Sequence, residues 1–223
     1  RLHSLKDASL VKEFPSDRVL SKRKDQRLFV TPDGLTVLAL DFNKFKTYDL
    51  KAKDAKASDF SPPARGLFAD LCFSPDGKLA LTIGDARVVS LLNPKTWKEQ
   101  GTIEAGVDLR NLAYAPEAKL IVGTYRDTIR VIENAPKGKE LHQLQHVGNV
   151  AELALIPNQA RAVSMTRGKE PALRVWDLKS GELLGKYDLP GNPQRIAVAP
   201  DGKHAVVCDT DKTDSLYGLP AGK

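Results

Sequence analysis

The residues that could do chemistry in this chain are few and scattered. Its 223 residues include four histidines, His3, His142, His146 and His204, which are spread along the sequence rather than gathered in one segment. The chain has no Gly-x-Ser-x-Gly nucleophile turn, no phosphate-binding or dinucleotide-binding glycine loop and no His-Glu-x-x-His zinc motif. The residue types therefore predict no catalytic residue, no cofactor and no metal site, although a set assembled from distant segments stays open.

One acidic run resembles part of a metal-binding loop. Aspartates stand at positions 209, 211 and 214, a spacing similar to the first ligands of a calcium loop. The run lacks the turn glycine and the terminal glutamate that such a loop needs. We therefore expect residues 209–214 to form an ordinary acidic turn.

Composition bounds the class of protein without naming it. The net charge is +6 and the 34 basic residues are interspersed with 28 acidic ones, which favours solubility over a dedicated anionic partner. No apolar run approaches the roughly 18 residues of a membrane span. Cys72 and Cys208 lie in strand-like runs of separate repeats, so we expect buried free thiols. The chain begins at Arg1 rather than Met, which indicates a processed or longer parent; the compartment stays open, with the cytoplasm favoured over a secreted or periplasmic location.

The elements that must position these residues follow a repeat. A short apolar run leading to Pro-Asp-Gly, or to a variant of it, and then a second apolar run returns along the whole chain. The separations between its prolines are 43, 41, 41 and 43 residues, for Pro32, Pro75, Pro116, Pro157 and Pro200. A second pattern is clearest at residues 173–187, where alternating apolar residues, a turn near Gly181 and a second apolar run indicate a hairpin.

A period near 40–45 residues with about four short strands is typical of propeller blades. On these repeats and their Pro-Asp-Gly-Lys turns, the sequence resembles the WD40-repeat family, especially its bacterial members. The resemblance covers almost the whole chain and implies an all-β propeller of four-stranded antiparallel blades forming a single domain, 1–223. It says little about function, because one architecture hosts many roles.

The repeats start near residues 28, 71, 112, 153 and 196, and residues 1–14 align with the hairpin as the end of a preceding blade. With the strands of a blade named a to d from the inside outward, the chain opens at a strand c and stops after another. We therefore favour a partial ring, with four full blades and two partial ones, from a longer and seven-bladed propeller. The alternative is a closed five-bladed ring, in which residues 9–14 would pair with 215–219.

The resemblance also implies a structural polar set. In the family, a histidine before strand a bonds towards an acid in the b–c turn and a tryptophan on strand c. His146, Glu170 and Trp176 match these positions in the fourth blade, and the other blades depart from the pattern. We expect this set to hold the blade together rather than to do chemistry.

The same resemblance places the b–c and d–a loops on one face. Arginine and tyrosine are enriched among interface anchors, and the loops expected there supply the candidate partner-binding residues Phe42, Arg65, Asp70, Asp85, Arg87, Arg110, Tyr125, Arg126, Asp127 and Arg167. The opposite face is rich in lysine, which we attribute mainly to solubility.

The favoured function is a non-enzymatic scaffold that binds a protein partner or a larger assembly through the b–c and d–a loop face. One alternative is a propeller enzyme, of hydrolase or lactonase type, with a site at the channel mouth. The other is association with nucleic acid through the basic surface, which ranks last because the sequence lacks interleaved aromatic residues for base stacking.

Overall fold

The computed structural model describes residues 2–3, 10–12, 28–41, 44–52, 57–61, 68–84, 87–135, 138–210 and 214–221. The chain divides into two compact units, Arg1–Pro63 and Ala64–Lys223, which are described separately. The prediction of one domain over residues 1–223 stays a prediction.

The first unit contains a two-stranded antiparallel sheet and one four-stranded blade. The small sheet pairs β1 (Leu2–His3) with β2 (Leu10–Lys12). Blade one consists of β3 (Leu28–Val30), β4 (Thr36–Asp41), β5 (Lys44–Asp49) and β6 (Ser58–Phe60). Phe45 at the centre of this blade is fully buried, and its ring contacts those of Phe29 and Phe60.

The second unit contains three four-stranded blades and one of three strands, all antiparallel. Blade two is β7 (Phe68–Phe73), β8 (Ala80–Gly84), β9 (Val88–Leu92) and β10 (Glu99–Glu104). Blade three is β11 (Arg110–Ala115), β12 (Leu120–Tyr125), β13 (Thr128–Glu133) and β14 (Glu140–Gln145), with a 3-10 turn at Pro116–Ala118. Blade four is β15 (Val150–Leu155), β16 (Arg161–Thr166), β17 (Ala172–Asp177) and β18 (Leu183–Asp188), and blade five is β19 (Pro193–Val198), β20 (His204–Asp209) and β21 (Asp214–Gly218).

The predicted all-β class and four-stranded antiparallel blades are confirmed, and the described residues form five blades, as the five-bladed alternative requires. A longer, seven-bladed parent stays a prediction. In blade two, strand a begins earlier than the sequence pattern indicates: the repeat was predicted to start near residue 71, whereas β7 begins at Phe68. The register between strands a and b shifts between Phe68 and Asp70, and this irregularity breaks the alternation by which a strand is recognised.

The core of the second unit lies between successive blades. In blades two to four, strands b and c are buried on both faces, so alternate residues pack against two neighbouring blades. Ile121 and Ile132 pack with apolar residues of blade two, whereas Val122 and Val131 pack with those of blade four. A third cluster joins blades four and five around Val163.

The Pro-Asp-Gly turn recurs because its polar residues close the hairpin between strands a and b. In blade two, the Ser74 hydroxyl donates to the Asp76 carboxylate at 2.7 Å and accepts from the Leu79 N–H at 2.9 Å. Gly77 takes a φ of 68° and donates to the Ser74 carbonyl at 2.9 Å. The hydrogen bond from Ser74 lowers the pKa of Asp76 below its usual value.

Polar side chains on strand a link consecutive blades. Strand a is the edge of its sheet, so half of its backbone N–H groups point away from strand b and need other acceptors. The Asp70 carboxylate accepts from the Leu112 N–H of the next blade at 2.7 Å, and Glu152 accepts from the Ile196 N–H at 2.7 Å. These interblade links fix where the loops of successive blades lie in the second unit.

Candidate functional site: the loop face

The b–c turn of blade three carries the residues that the sequence singles out most strongly, Tyr125, Arg126 and Asp127. Two backbone hydrogen bonds hold the following d–a loop against this turn. The Val150 N–H donates to the Arg126 carbonyl, and the His146 N–H donates to the Asp127 carbonyl, both at 2.8 Å. The structure therefore brings together the b–c turn before β13 and the d–a loop before β15. We call Tyr125, Arg126, Asp127 and Val147 the loop patch.

The aromatic ring of Tyr125 positions cationic groups within this patch. The Arg126 guanidinium carbon lies 5.2 Å from the ring centroid and that of Arg130 lies 5.8 Å from it. Arg130 is itself fixed by an ion pair with Glu140 at 2.6 Å. Arg126 is exposed and makes no ion pair with any residue that the structure describes. It is thus a partly ordered cation that remains open to solvent.

The d–a loop that is hydrogen-bonded to the Arg126 turn carries an exposed apolar side chain. Val147 is 63% exposed at the tip of the d–a loop, beside Gly148 and Asn149. The carboxylate of Asp127 accepts from the Gln145 amide at 2.9 Å. An exposed apolar side chain next to tyrosine and arginine has the composition of an interface anchor.

Three further predicted arginines have different surroundings. Arg87 pairs with Asp108 of the adjacent d–a loop at 3.5 Å, and both side chains are largely exposed. Arg110 is exposed at the start of β11, and its partner in the register is Thr124, next to Tyr125. Arg167 is half-buried, because its guanidinium donates to the carbonyls of Pro193 and Gln194 in blade five.

Four other predicted partner-binding residues do not contribute described surface. Asp70 is 2% exposed, and its carboxylate is bonded to backbone N–H groups, one of them in the next blade, so it is not presented on the loop face. Phe42, Arg65 and Asp85 lie outside the described residues.

The polar set of blade four gathers two of its three predicted members. The rings of His146 and Trp176 meet edge to face with centroids 5.2 Å apart. Ser164 of strand b joins them, because its hydroxyl oxygen accepts from the Trp176 indole N–H at 2.9 Å and lies 3.2 Å from His146 Nε2. All three side chains are buried. This arrangement ties the d–a loop to strands b and c.

An arginine, rather than the expected Glu170, lies beside His146 in this set. Glu170 is exposed in the b–c turn, and no hydrogen bond joins its carboxylate to His146 among the described residues. Arg174, which is 7% exposed, instead lies with Nη1 3.2 Å from His146 Nδ1. Because a guanidinium only donates, Nδ1 must accept and Nε2 must carry the proton that reaches Ser164.

This neutral tautomer agrees with the electrostatics of the site. Burial, followed by the positive charge of Arg174, lowers the pKa of His146 to about 4, and the nearby Asp127 carboxylate opposes the shift. His146 is therefore neutral near pH 7. A buried neutral imidazole with both nitrogens bonded is suited to holding structure rather than to proton transfer.

Sequence reasoning did not identify Val147 or Arg174. Val147 stands alone among polar loop residues, and exposure of a single valine leaves no periodic signal. Arg174 alternates with apolar residues along β17, so its pattern is that of an exposed position. The one indication of its role is that Arg174 lies directly opposite Ser164 in the β16–β17 ladder, and this pairing appears in the structure rather than in the sequence.

The described residues give little support to a metal site or another chemically active site. No cluster of three or more His, Cys, Asp and Glu side chains that could hold a metal occurs among them. Both cysteines are free and partly buried. The acidic run 209–214 lies partly outside the described part of the chain. No helix formed by the described residues is long and apolar enough to cross a membrane.

Parts of the chain are similar in sequence to known proteins. THO complex subunit 3 of Arabidopsis thaliana is 30% identical over 97 residues, which are 42% of this chain and 30% of that protein. The serine-threonine kinase receptor-associated protein of Gallus gallus is 25% identical over 179 residues, 80% of this chain and 50% of that protein. Telomerase protein component 1 of Mus musculus is 23% identical over 134 residues, 60% of this chain and 5% of that protein. No family model matches the chain.

The fold is that of a β-propeller, and the proteins to which the chain is similar include WD40-repeat proteins. The first two of these relatives are WD40-repeat proteins, and the antiparallel four-stranded blades are those of a β-propeller. The chain spans at most half the length of the three relatives.

Proposed function

We propose that this chain is a non-enzymatic interaction scaffold that binds a protein partner through the b–c and d–a loop face, centred on the loop patch. The observation that carries the proposal is Arg126, which lies over the Tyr125 ring, makes no ion pair with a described residue, and stands in a turn hydrogen-bonded to the loop of the exposed Val147. Anchors of this kind supply most of the binding energy in protein interfaces. The Pro-Asp-Gly turns, which suggest a bacterial-type WD40 protein, form part of the same proposal.

The names of the relatives support a role in assembly. They describe a complex subunit, a protein component and a receptor-associated protein. Each is named for what it joins rather than for a reaction. This support concerns the class of function and carries no partner from those proteins to this one.

The test is affinity capture with the tagged full chain, followed by quantitative mass spectrometry. The variant combines Arg126→Glu with Val147→Asp, which reverses the open charge and removes the apolar contact. The matched control is Lys139→Glu, an exposed charge reversal at the opposite end of blade three. We expect the control to retain the captured proteins and the loop-patch variant to lose them. Equal capture by all three proteins, or turnover of a substrate by the chain, would contradict the proposal.

A further inference from the structure

The c–d turns of blades two and four have the same length and the same hydrogen bonds. In blade four, the Gly181 N–H donates to the Asp177 carbonyl at 2.9 Å. In blade two, the Trp97 N–H donates to the Asn93 carbonyl at 2.7 Å. The Asn93 and Asp177 side chains each accept from the same two backbone N–H groups of their turns. Trp97 therefore occupies the position that glycine holds in blade four.

The backbone at this position favours glycine. Gly181 has a φ of 77°, and Gly138, which likewise stands two residues before strand d of its blade, has a φ of 41°. Trp97 has a φ of 56°, a region where a bulky side chain is a genuine outlier. Residues kept in such conformations cluster at functional sites. A tryptophan retained at a glycine position is therefore an indication of function.

The surroundings of Trp97 are those of a surface anchor. Its ring is half-buried and packs edge to face on Phe73, with centroids 6.1 Å apart. Lys95 and Lys98 flank Trp97 in the c–d turn, Lys78 lies in the a–b turn that follows Phe73, and all three are exposed. The Lys78 side chain is 84% exposed, and its ion pair with Asp76 is 3.5 Å long. The result is an aromatic centre with a mainly cationic rim.

We propose that Trp97 and Phe73, with Lys78, Lys95 and Lys98, form a second docking surface for a protein segment that presents an apolar side chain flanked by acidic ones. The apolar side chain packs on Trp97, and its acidic neighbours meet the lysines. This surface lies at the a–b and c–d turns, so the proposal does not rest on the loop face.

A protein segment fits this surface better than a nucleic acid does. Single-stranded nucleic acids bind along rows of aromatic side chains on which successive bases stack. Glycine holds the matching position in the c–d turns of blades three and four, so no such row continues across the described turns. One tryptophan inside a charged rim is instead the layout of a protein hot spot.

The experiment selects random 12-residue peptides displayed on phage against the full chain, with counter-selection against Trp97→Gly. That variant restores the residue that blade four uses in the same turn, so we expect its circular dichroism and melting to remain native-like. We expect enriched peptides to contain an apolar residue between acids. Synthetic versions should bind Trp97→Gly at least about tenfold more weakly.

Two further variants keep the test decisive. Lys95→Glu with Lys98→Glu retains the ring and should weaken binding by a similar factor, independently of any change of fold in Trp97→Gly. Arg126→Glu, on the loop face, should leave binding unchanged. The proposal is overturned if no peptide distinguishes wild type from Trp97→Gly, or if the enriched peptides lack acidic residues. It is also overturned if a 12-nucleotide oligo(dT) binds through Trp97, since that would make the surface a nucleic-acid site.

Discussion

At the scale of single residues, His146 makes the second unit sensitive to pH. Its pKa of about 4 lies below the 6.5 of an unperturbed histidine, so between these values an unfolded chain binds a proton that the folded chain does not. Stability therefore falls as pH drops from 6.5 towards 4, by about 1.4 kcal/mol per unit at most and by about 3 kcal/mol in total. Below pH 4 this contribution stays constant.

The measurement is urea denaturation of the wild type and of His146→Gln at intervals from pH 7 to pH 4. Subtracting the two free energies of unfolding removes the carboxylates that both proteins share. We expect the difference to change only between about pH 6.5 and pH 4. A difference that is flat across this window would show that His146 is not held neutral.

Ser164 is the acceptor on which the polar set of blade four depends. Ser164→Ala leaves the indole N–H of Trp176 and the imidazole N–H of His146 without their partner in a buried site. Each loss of this kind costs about 1–3 kcal/mol. We expect Ser164→Ala to lower the free energy of unfolding, measured by thermal unfolding, by an amount of that order. Ser180→Ala, at an exposed turn, is the control, and an equal effect of both variants would contradict the assignment.

At the scale of elements, the interblade links hold the inner strands in place. Asp70→Ala removes the acceptor of the Leu71 and Leu112 N–H groups. Hydrogen bonds to a charged group contribute about 1.5–3 kcal/mol each when buried, so we expect the loss of both to lower the free energy of unfolding by urea by about 3–6 kcal/mol. Asp76→Ala, in an exposed turn, should cost less than half as much. The reverse order would indicate that the turn, not the link, limits stability.

The strands could be predicted from sequence because their signal is local. Prolines at nearly regular separations and alternating apolar residues placed the start of β15 and the hairpin of β17 and β18 within a few residues of their observed bounds. The interblade links could not be predicted, because Asp70 reaches a residue 42 positions away and its strand carries a register shift. Single-sequence patterns report the faces of one strand, not the neighbour that it meets.

At the scale of the whole chain, the two candidate docking surfaces differ in how far sequence could indicate them. Composition pointed to Tyr125 and Arg126, because arginine and tyrosine in a loop are conspicuous. No pattern of residue types singled out Trp97. Its significance depends on φ and on the identical hydrogen bonds of blade four, which appear when two repeats are compared in space.

The second unit should unfold cooperatively although it is built from repeats. Repeat proteins lose cooperativity when neighbouring units are weakly coupled, whereas here apolar clusters and hydrogen bonds join each of its blades to the next. Asp70 and Glu152 share no hydrogen-bonding partner among the described residues. Combining Asp70→Ala with Glu152→Ala should therefore add their separate effects to within about 0.5 kcal/mol.

Both tryptophans of the chain lie in this unit, Trp97 in blade two and Trp176 in blade four. In Trp97→Gly, fluorescence reports on blade four alone, while in the wild type it reports on both blades. We expect each protein to show one urea transition. The midpoints of the wild type and of Trp97→Gly should differ only by the change in stability that the substitution itself causes. Two separated transitions in the wild type would show that the blades unfold independently. Asp70→Ala and Glu152→Ala would then each shift a different transition, and their effects on the free energy of unfolding would not add.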